Sequence, residues 1–412
     1  MTGEGNTLRI KMQSRNLRVL VARSFLYGLQ TNMVRAIWQP FVLQLGASMP
    51  FLGLLESIGG FGGLVSTAML PVGGWLSDRH GRKAFVILAS VFALLALTFY
   101  VWAGLAWQWW LLLPGVILLG LAAIARPALD CIIAESATPA AIGRAFSLTS
   151  VAFAISGILA PTLGGWLAKR QGYLAPLLLG GVLELGALLF VSIFLHETHR
   201  PQQICDSRTA SLVNTLKHVF DPPPYLRSFY IASTIDLFAF GLGSAILFGL
   251  LHEEFGFTPL QLGLMSSAQS AVWAVSQVSV GRQVDRRGSV RFLALSEGIA
   301  VVVLVGWLFA KSYPAFLVLY AIMGLSVATW GPAYMRWITN SVPEAQRAEE
   351  MGRLGAFRGL LSFPASYIGG LLYTWVGFKG PILANLVGAF AVTLVFWYLV
   401  PEPQGTAISD QD

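Results

Sequence analysis

Gly74-Trp-Leu-Ser-Asp78-Arg79-His-Gly81-Arg82-Lys83 occurs again, in looser form, as Gly281-Arg-Gln-Val-Asp285-Arg286-Arg-Gly288-Ser-Val-Arg291. Both copies keep Gly-x3-Asp-Arg-x-Gly, and their opening glycines stand 207 residues apart in a chain of 412. Each copy follows one long apolar run and precedes another. The chain is therefore two related halves, an internal symmetry typical of helical membrane proteins.

Composition sets the solvent. Charged residues make up 11% of the chain and apolar residues 55%, against roughly 25% charge in soluble domains. Too little polar surface remains for a water-soluble protein of this size. A bilayer core of about 30 Å takes roughly 20 apolar residues per helix. Twelve stretches qualify, at about 18–45, 50–76, 84–104, 108–134, 145–168, 173–195, 227–250, 259–281, 290–310, 314–340, 355–376 and 380–400. The expected fold is all-α: a polytopic membrane protein with twelve transmembrane helices in two six-helix bundles. The charged stretch 196–226, with Pro222-Pro223-Pro224, divides six helices from six. This gives bundles over 1–200 and 227–412, joined by a cytoplasmic linker over 201–226.

Lys and Arg give the orientation. With both termini cytoplasmic, eighteen of the 27 basic residues lie on the cytoplasmic side, and only Lys169, Arg170, Lys311 and Lys379 on the other. The expected location is the inner (plasma) membrane. The first apolar run is too long for a cleaved signal peptide and lacks a small-residue cleavage site. The net charge of +7 has no basic, aromatic-laced domain to concentrate it, so nucleic acid is not an expected partner. Cys131 and Cys205 are read as unpaired thiols, one in an apolar span and one in the polar loop. No Walker pattern, zinc-type Cys/His cluster or nucleophile elbow occurs, so no cofactor, metal or enzymatic activity is expected.

The loop motif reads mechanically. Gly74, and Gly281 in the second copy, would let the helix approach a neighbour closely. Asp78 would sit just past the helix end, and Gly81, matched by Gly288, would supply the tight turn. Glu135, at the inner end of the fourth span, is a partner for Arg79 or Arg82. Such a cluster could latch the bundles in one state and release them in another; the plain alternative is ordinary turn and positive-inside charge. The second copy has Thr339-Asn340 where the first has Glu135, so the latch is expected to be asymmetric. Asp78→Asn is expected to slow the passage between those states while leaving expression intact. A variant working at the wild-type rate in reconstituted vesicles would remove the latch. Gly59-x3-Gly63 is read as helix packing, and Pro161 with Gly164-Gly165 as a bend in the fifth span.

Charges at mid-bilayer cost at least about 2.5–3.5 kcal/mol each and need a partner, water or a function. Asn32, Arg35 and Gln39 share one face of the first span. Arg126 and Asp130 form an i,i+4 pair in the fourth. Asp236 has no basic residue within one turn of its own helix, which makes it the first candidate proton carrier. Asp130 and Glu56 follow. Asp236 could instead pair with Arg35 or Arg126. Glu184 and Glu297 have no evident role, and Arg336 and Arg358 are read as snorkelling to the cytoplasm. Gln269, Trp273 and Gln277 form one stripe, and Trp330, Tyr334 and Trp337 another. Either could stack on an amphipathic molecule or pack the bundle.

Twelve spans, a central loop and Gly-x3-Asp-Arg-x-Gly-Arg-Lys between the second and third spans resemble the major facilitator superfamily. Gly157-Ile-Leu-Ala160-Pro161-Thr-Leu-Gly164-Gly165 is similar to a motif of that superfamily's drug/proton antiporters, with Ala160 in place of a glycine. The resemblance implies a central cavity lined by the first, fourth, seventh and tenth spans, and alternating access by rocking bundles. The function it implies is secondary-active, proton-coupled efflux of a small amphipathic compound, by a monomer in the lipid bilayer. Three other functions stay open: an importer or exchanger of an organic anion, a lipid or lysolipid transporter, and a non-transporting sensor or assembly partner.

Overall fold

A computed structural model describes residues 3–60, 62–138, 141–198, 219–343 and 346–403; side chains are described from residue 15, excepting Asp78, Ala348 and Glu349. The linker residues 201–218, with Cys205, lie outside the described residues, as does the tail beyond residue 403.

The chain is helical throughout the described residues. Its helices are α1 (Gly3–Gln44), α2 (Met49–Gly59), α3 (Leu64–His80), α4 (Arg82–Ala106), α5 (Leu112–Leu121), α6 (Arg126–Glu135), α7 (Ile142–Gln171) and α8 (Leu174–Phe194). They continue as α9 (Arg227–Leu242), α10 (Leu247–Phe255), α11 (Pro259–Arg287), α12 (Val290–Phe309), α13 (Tyr313–Ser341), α14 (Arg347–Ser362), α15 (Ala365–Val376) and α16 (Lys379–Tyr398). Every apolar stretch picked out above is occupied by helix.

Four of the spans are not single α-helices, which the apolar pattern does not reveal. In the second, α2 ends at Gly59 and α3 begins at Leu64, with Gly60, Gly62 and Gly63 outside both helices, where glycine lacks the side-chain restraint that favours helix. The fourth passes through a 3-10 turn, Ala122–Ala125, ahead of Arg126-Pro127. Proline there needs no hydrogen-bond partner for its nitrogen. The seventh passes through a 3-10 turn at Ser244–Ile246, after Gly241 and Gly243. The eleventh is interrupted between Ser362 and Ala365, at Pro364.

Nine helical stretches among the described residues are long and apolar enough to cross a membrane by length and composition. The first, eighth and eleventh spans are not among the nine. They carry Arg23, Asn32, Arg35 and Gln39; Gln261, Gln269 and Gln277; and Arg358, respectively. Such polarity inside otherwise apolar helices requires a protein or water neighbour. Conversely, Val182, Val275, Val302, Val387 and Trp397 are each more than 60% exposed. In water such surface would aggregate; acyl chains are its fitting solvent.

Two compact units divide the structure. Unit 1 comprises Met1–Ser48, Ile58–Leu212 and Leu251–Ser267; unit 2 comprises Met49–Ser57, Val213–Leu250 and Ala268–Asp412. In unit 1 a core of Leu20, Val86, Ile132 and Val191 joins α1, α4, α6 and α8. Small residues bring its backbones together. A Cβ on Gly164 would meet the Met33 carbonyl at 2.7 Å, and one on Gly165 would meet the Pro259 carbonyl at 2.3 Å. On the start of α11, a Cβ on Gly263 would meet the Pro161 carbonyl at 2.3 Å, and the Thr162 and Ser267 hydroxyls hydrogen-bond at 2.8 Å. The Pro161 region is thus a two-sided packing surface on α7. In unit 2 the Phe229 and Trp337 rings stack at 3.8 Å beside Phe396, and the Trp337 indole N–H donates to the Pro401 carbonyl at 3.0 Å. Trp337 is therefore core packing, which removes it from the expected aromatic stripe.

Candidate functional site: buried charge and the repeated loop

The loop glycines and the acids that face them are built alike in both halves. Gly81 has φ of +91° and Gly288 of +98°, a region that L side chains rarely adopt. Glu197 follows the end of α8, and its carboxylate accepts the backbone N–H groups of Arg82 at 3.2 Å and Lys83 at 2.9 Å. Glu402 follows the end of α16 and accepts the N–H groups of Ser289 at 2.5 Å and Val290 at 2.8 Å. Each carboxylate satisfies orphan donors at a helix start and opposes the positive end of its dipole. A Cβ on Gly81 would lie 2.9 Å from the Glu197 carboxylate, and one on Gly288 equally close to Glu402. The glycines are needed for their backbone angle and for the acid seated beside them. Neither glutamate stands in the repeated motif, so the sequence pattern did not point to them.

Other parts of the loop differ from expectation. Asp78 lies within the last turn of α3, not beyond it, and Asp285 lies within α11, because both helices run on past the aspartate. Gly74 is not the glycine of closest approach. A Cβ there would meet Pro127 at an ordinary 3.7 Å, whereas one on Gly73 would meet the Ile124 carbonyl at 2.0 Å. Gly281 faces open space. Arg82 forms a salt bridge with Glu135, and Lys83 donates to the Ser192 carbonyl at 2.8 Å. Arg79 places its guanidinium 4.2 Å from the Trp75 ring centre. Asp285 and Arg286 are exposed.

Unit 2 holds a buried charge cluster. Asp236 on α9 and Arg358 on α14 form a salt bridge at 3.3 Å. The Arg358 guanidinium also donates to the Ser233 carbonyl at 3.0 Å and lies 5.3 Å from the centre of the Tyr334 ring. Glu297, on α12 and 6% exposed, lies close enough to Asp236 and Arg358 to act on both electrostatically. Arg358 therefore does not snorkel; a carboxylate on the neighbouring helix holds it inside. Asp236 takes Arg358 as its partner, not Arg35 or Arg126. Arg336 donates to the Val284 carbonyl. Glu297, left without a role above, is the second acid of the cluster. An acid in so apolar a helix was itself the signal that a partner had to exist.

Unit 1 has a simpler counterpart. Arg23 on α1 is 7% exposed and Glu184 on α8 is 1% exposed. They attract each other electrostatically beside Ser90 on α4, with Tyr27 next to Arg23. Arg23 Nε and one Glu184 oxygen make no hydrogen bond among the described residues.

The remaining candidates are more dispersed. Arg35, Arg126 and Asp130 are exposed, and Arg126 is the electrostatic partner of Asp130. Asn32 donates to the Gly28 carbonyl at 2.8 Å and to the Ser156 hydroxyl at 3.4 Å, which ties it to its own helix and to α7. Gln39 is buried, and Glu56, Gln269 and Trp273 are half-buried. Gly324 lets α13 reach the backbone of α11 at Gln269 and Trp273. Trp330 and Tyr334 stack at 5.9 Å, which places the Trp330 ring one step from Arg358.

An all-helical chain with an apolar surface, internal sequence symmetry and charge buried among its helices has the build of a polytopic membrane transporter. The model of the Major Facilitator Superfamily matches residues 20–251 and 229–412, and the chain belongs to that family. It is a multi-pass, non-enzymatic transporter of small molecules. Among its relatives, the multi-drug resistance efflux pump PmrA homolog of Lactococcus lactis is 22% identical, over 91% of this chain and 94% of that protein. PmrA of Streptococcus pneumoniae is 25% identical, over 93% and 92%. Of solved structures, the nucleoside transporter NupG superposes with a TM-score of 0.74 at 14% identity, covering 92% of this chain and 98% of that one. The human organic anion transporter MFSD10 (TETRAN) gives 0.66 at 20% identity, covering 93% and 99%. These two likenesses bear on fold alone.

Proposed function

We propose that this protein is a proton-driven exporter of small amphipathic compounds, with Asp236 as its proton-carrying group. The observation that carries the reading is an ionisable carboxyl held inside apolar helices and only part-shielded: Asp236 keeps 19% of its side-chain surface exposed while paired with Arg358. A carboxyl so placed would, on taking up or releasing a proton, change the charge that faces Arg358 on a packed helix. Relatives named as multidrug efflux pumps, matched over nearly their whole length, favour export. Bundles over 1–200 and 227–412, joined by the linker over 201–226, would rock to alternate access. The protein would work as a monomer in the plasma membrane with both termini cytoplasmic, the direction favoured by the Lys and Arg bias.

Exposed Arg35 and Arg126 favour a second reading, exchange of an organic anion. Proteoliposomes with an imposed pH gradient separate the two when tested against amphipathic cations, organic anions and lysolipids. Wild type is expected to concentrate a compound against its gradient at the expense of the proton gradient, and Asp236→Asn to lose that accumulation. Undiminished accumulation by Asp236→Asn would discard Asp236 as the proton carrier.

A further inference from the structure

Each sequence repeat holds a buried charge cluster; the pairs stand at different repeat positions, and the two clusters share only one. Glu297 stands 207 residues after Ser90, the interval that separates Gly74 from Gly281. Ser90 borders the Arg23–Glu184 pair, and Glu297 borders the Asp236–Arg358 pair. The same repeat position thus carries a hydroxyl in one half and a carboxyl in the other. One acid and one guanidinium are neutral without any proton. Two acids and one guanidinium carry a net charge of −1 unless one acid is protonated. Both carboxyls lie among apolar helices, where uncompensated charge is costly. The two acids act on each other and on Arg358, and one guanidinium balances only one carboxylate.

We propose that Glu297 turns the unit 2 cluster into a one-proton site, in which Asp236 and Glu297 share a single proton and Arg358 balances the remaining charge. Asp236 is the acid that makes the salt bridge with Arg358, and Glu297 is buried beside it. Loading takes one proton from water to the pair and brings the cluster from −1 to neutral. Release returns that proton to water and leaves two carboxylates on one guanidinium. Released charge pulls harder on Arg358, which is anchored on α14 beside Tyr334 and Ser233. The neighbouring ionic group is self-contained: Glu350 accepts from the Tyr230 hydroxyl at 3.0 Å and pairs with Arg353 at 2.9 Å. On α16, Asn385 is engaged with the Ser244 hydroxyl. The Arg23–Glu184 pair, already neutral, takes no part in coupling.

This inference rests on the proton-coupled reading and can fail separately from it. Wild type, Glu297→Gln and Glu297→Ser (the residue of the other repeat) are reconstituted, with ethidium as the probe and monodispersity in detergent as the folding control. Both variants are expected to lose accumulation driven by a pH gradient while keeping ethidium counterflow in its absence. Infrared difference spectra between acid and alkaline buffer, which need no substrate, should show a protonated-carboxyl band in wild type that both variants and Asp236→Asn lose. Gradient-driven accumulation that survives in both Glu297 variants, or a carboxyl band unaltered by them, overturns the shared proton. A wild type indifferent to the gradient that still shows a band dependent on Glu297 refutes proton-driven export and leaves the shared proton standing.

Discussion

Arg23→Met is expected to destabilise the protein by about 3 kcal/mol, because it leaves the buried Glu184 carboxyl without a compensating charge. Its guanidinium is the charge partner of Glu184, a carboxyl with 1% of its surface exposed. Without Arg23 that carboxyl keeps Ser90 as its polar neighbour and has no cation. The attraction acts through space: among the described residues no salt bridge or hydrogen bond joins the two side chains, and Arg23 Nε and one Glu184 oxygen make no hydrogen bond at all. Its Coulomb gain is therefore not at its best, and the pair as a whole adds little over apolar packing. That asymmetry gives the decisive comparison. The double variant Arg23→Met/Glu184→Leu removes both charges and should recover most of the loss, as replacement of buried pairs by apolar side chains often does. Thermal unfolding of the purified protein in one detergent measures all three proteins. A single variant as stable as wild type would mean that Glu184 finds water or another partner. The double variant should also keep gradient-driven transport, because the pair already balances itself without a proton.

The helices were legible because a bilayer imposes a length and a composition on each crossing, and every apolar run is helix. The interruptions were not. A glycine run, a Pro at residue 127 or 364 and paired glycines at 241 and 243 are compatible with continuous helix in an apolar window. Whether the helix breaks there depends on what packs against it. The charges show the same division. That Asp236 needed compensation could be read from its helix, but its partner could not, because Arg358 is 122 residues away and was equally able to reach an aqueous surface. Glu297 became intelligible only once the two repeats could be laid over each other at a cluster. Glu197 and Glu402 escaped notice because a helix start is a site made by backbone, and its occupant can come from anywhere in the chain. Motif spacing identified the turn and missed the residue that fills it.

Gly73→Ala is expected to cost more than Gly74→Ala or Gly281→Ala, although only the latter two replace repeated motif glycines. Alanine at 73 would place its Cβ 2.0 Å from the Ile124 carbonyl oxygen and 2.8 Å from the carbonyl carbon. Both are backbone atoms of the 3-10 turn Ala122–Ala125, which cannot rotate away as a side chain could. Helix α3 must separate from that turn, and overpacking of this kind costs about 1–3 kcal/mol or more. The same displacement would disturb the segment that leads directly into Arg126 and Asp130. At Gly74 the new methyl meets Pro127 at 3.7 Å, ordinary contact, and at Gly281 it meets nothing within 4 Å. Both sites lie inside helices, where alanine outranks glycine by about 0.5–1 kcal/mol, so these two variants should match or exceed wild type in stability. Melting temperatures of the three alanine variants, measured side by side, decide it. If Gly74→Ala or Gly281→Ala proves the most damaging, those positions meet a neighbour in another state of the transport cycle, and the motif glycine regains the packing role its repetition first implied.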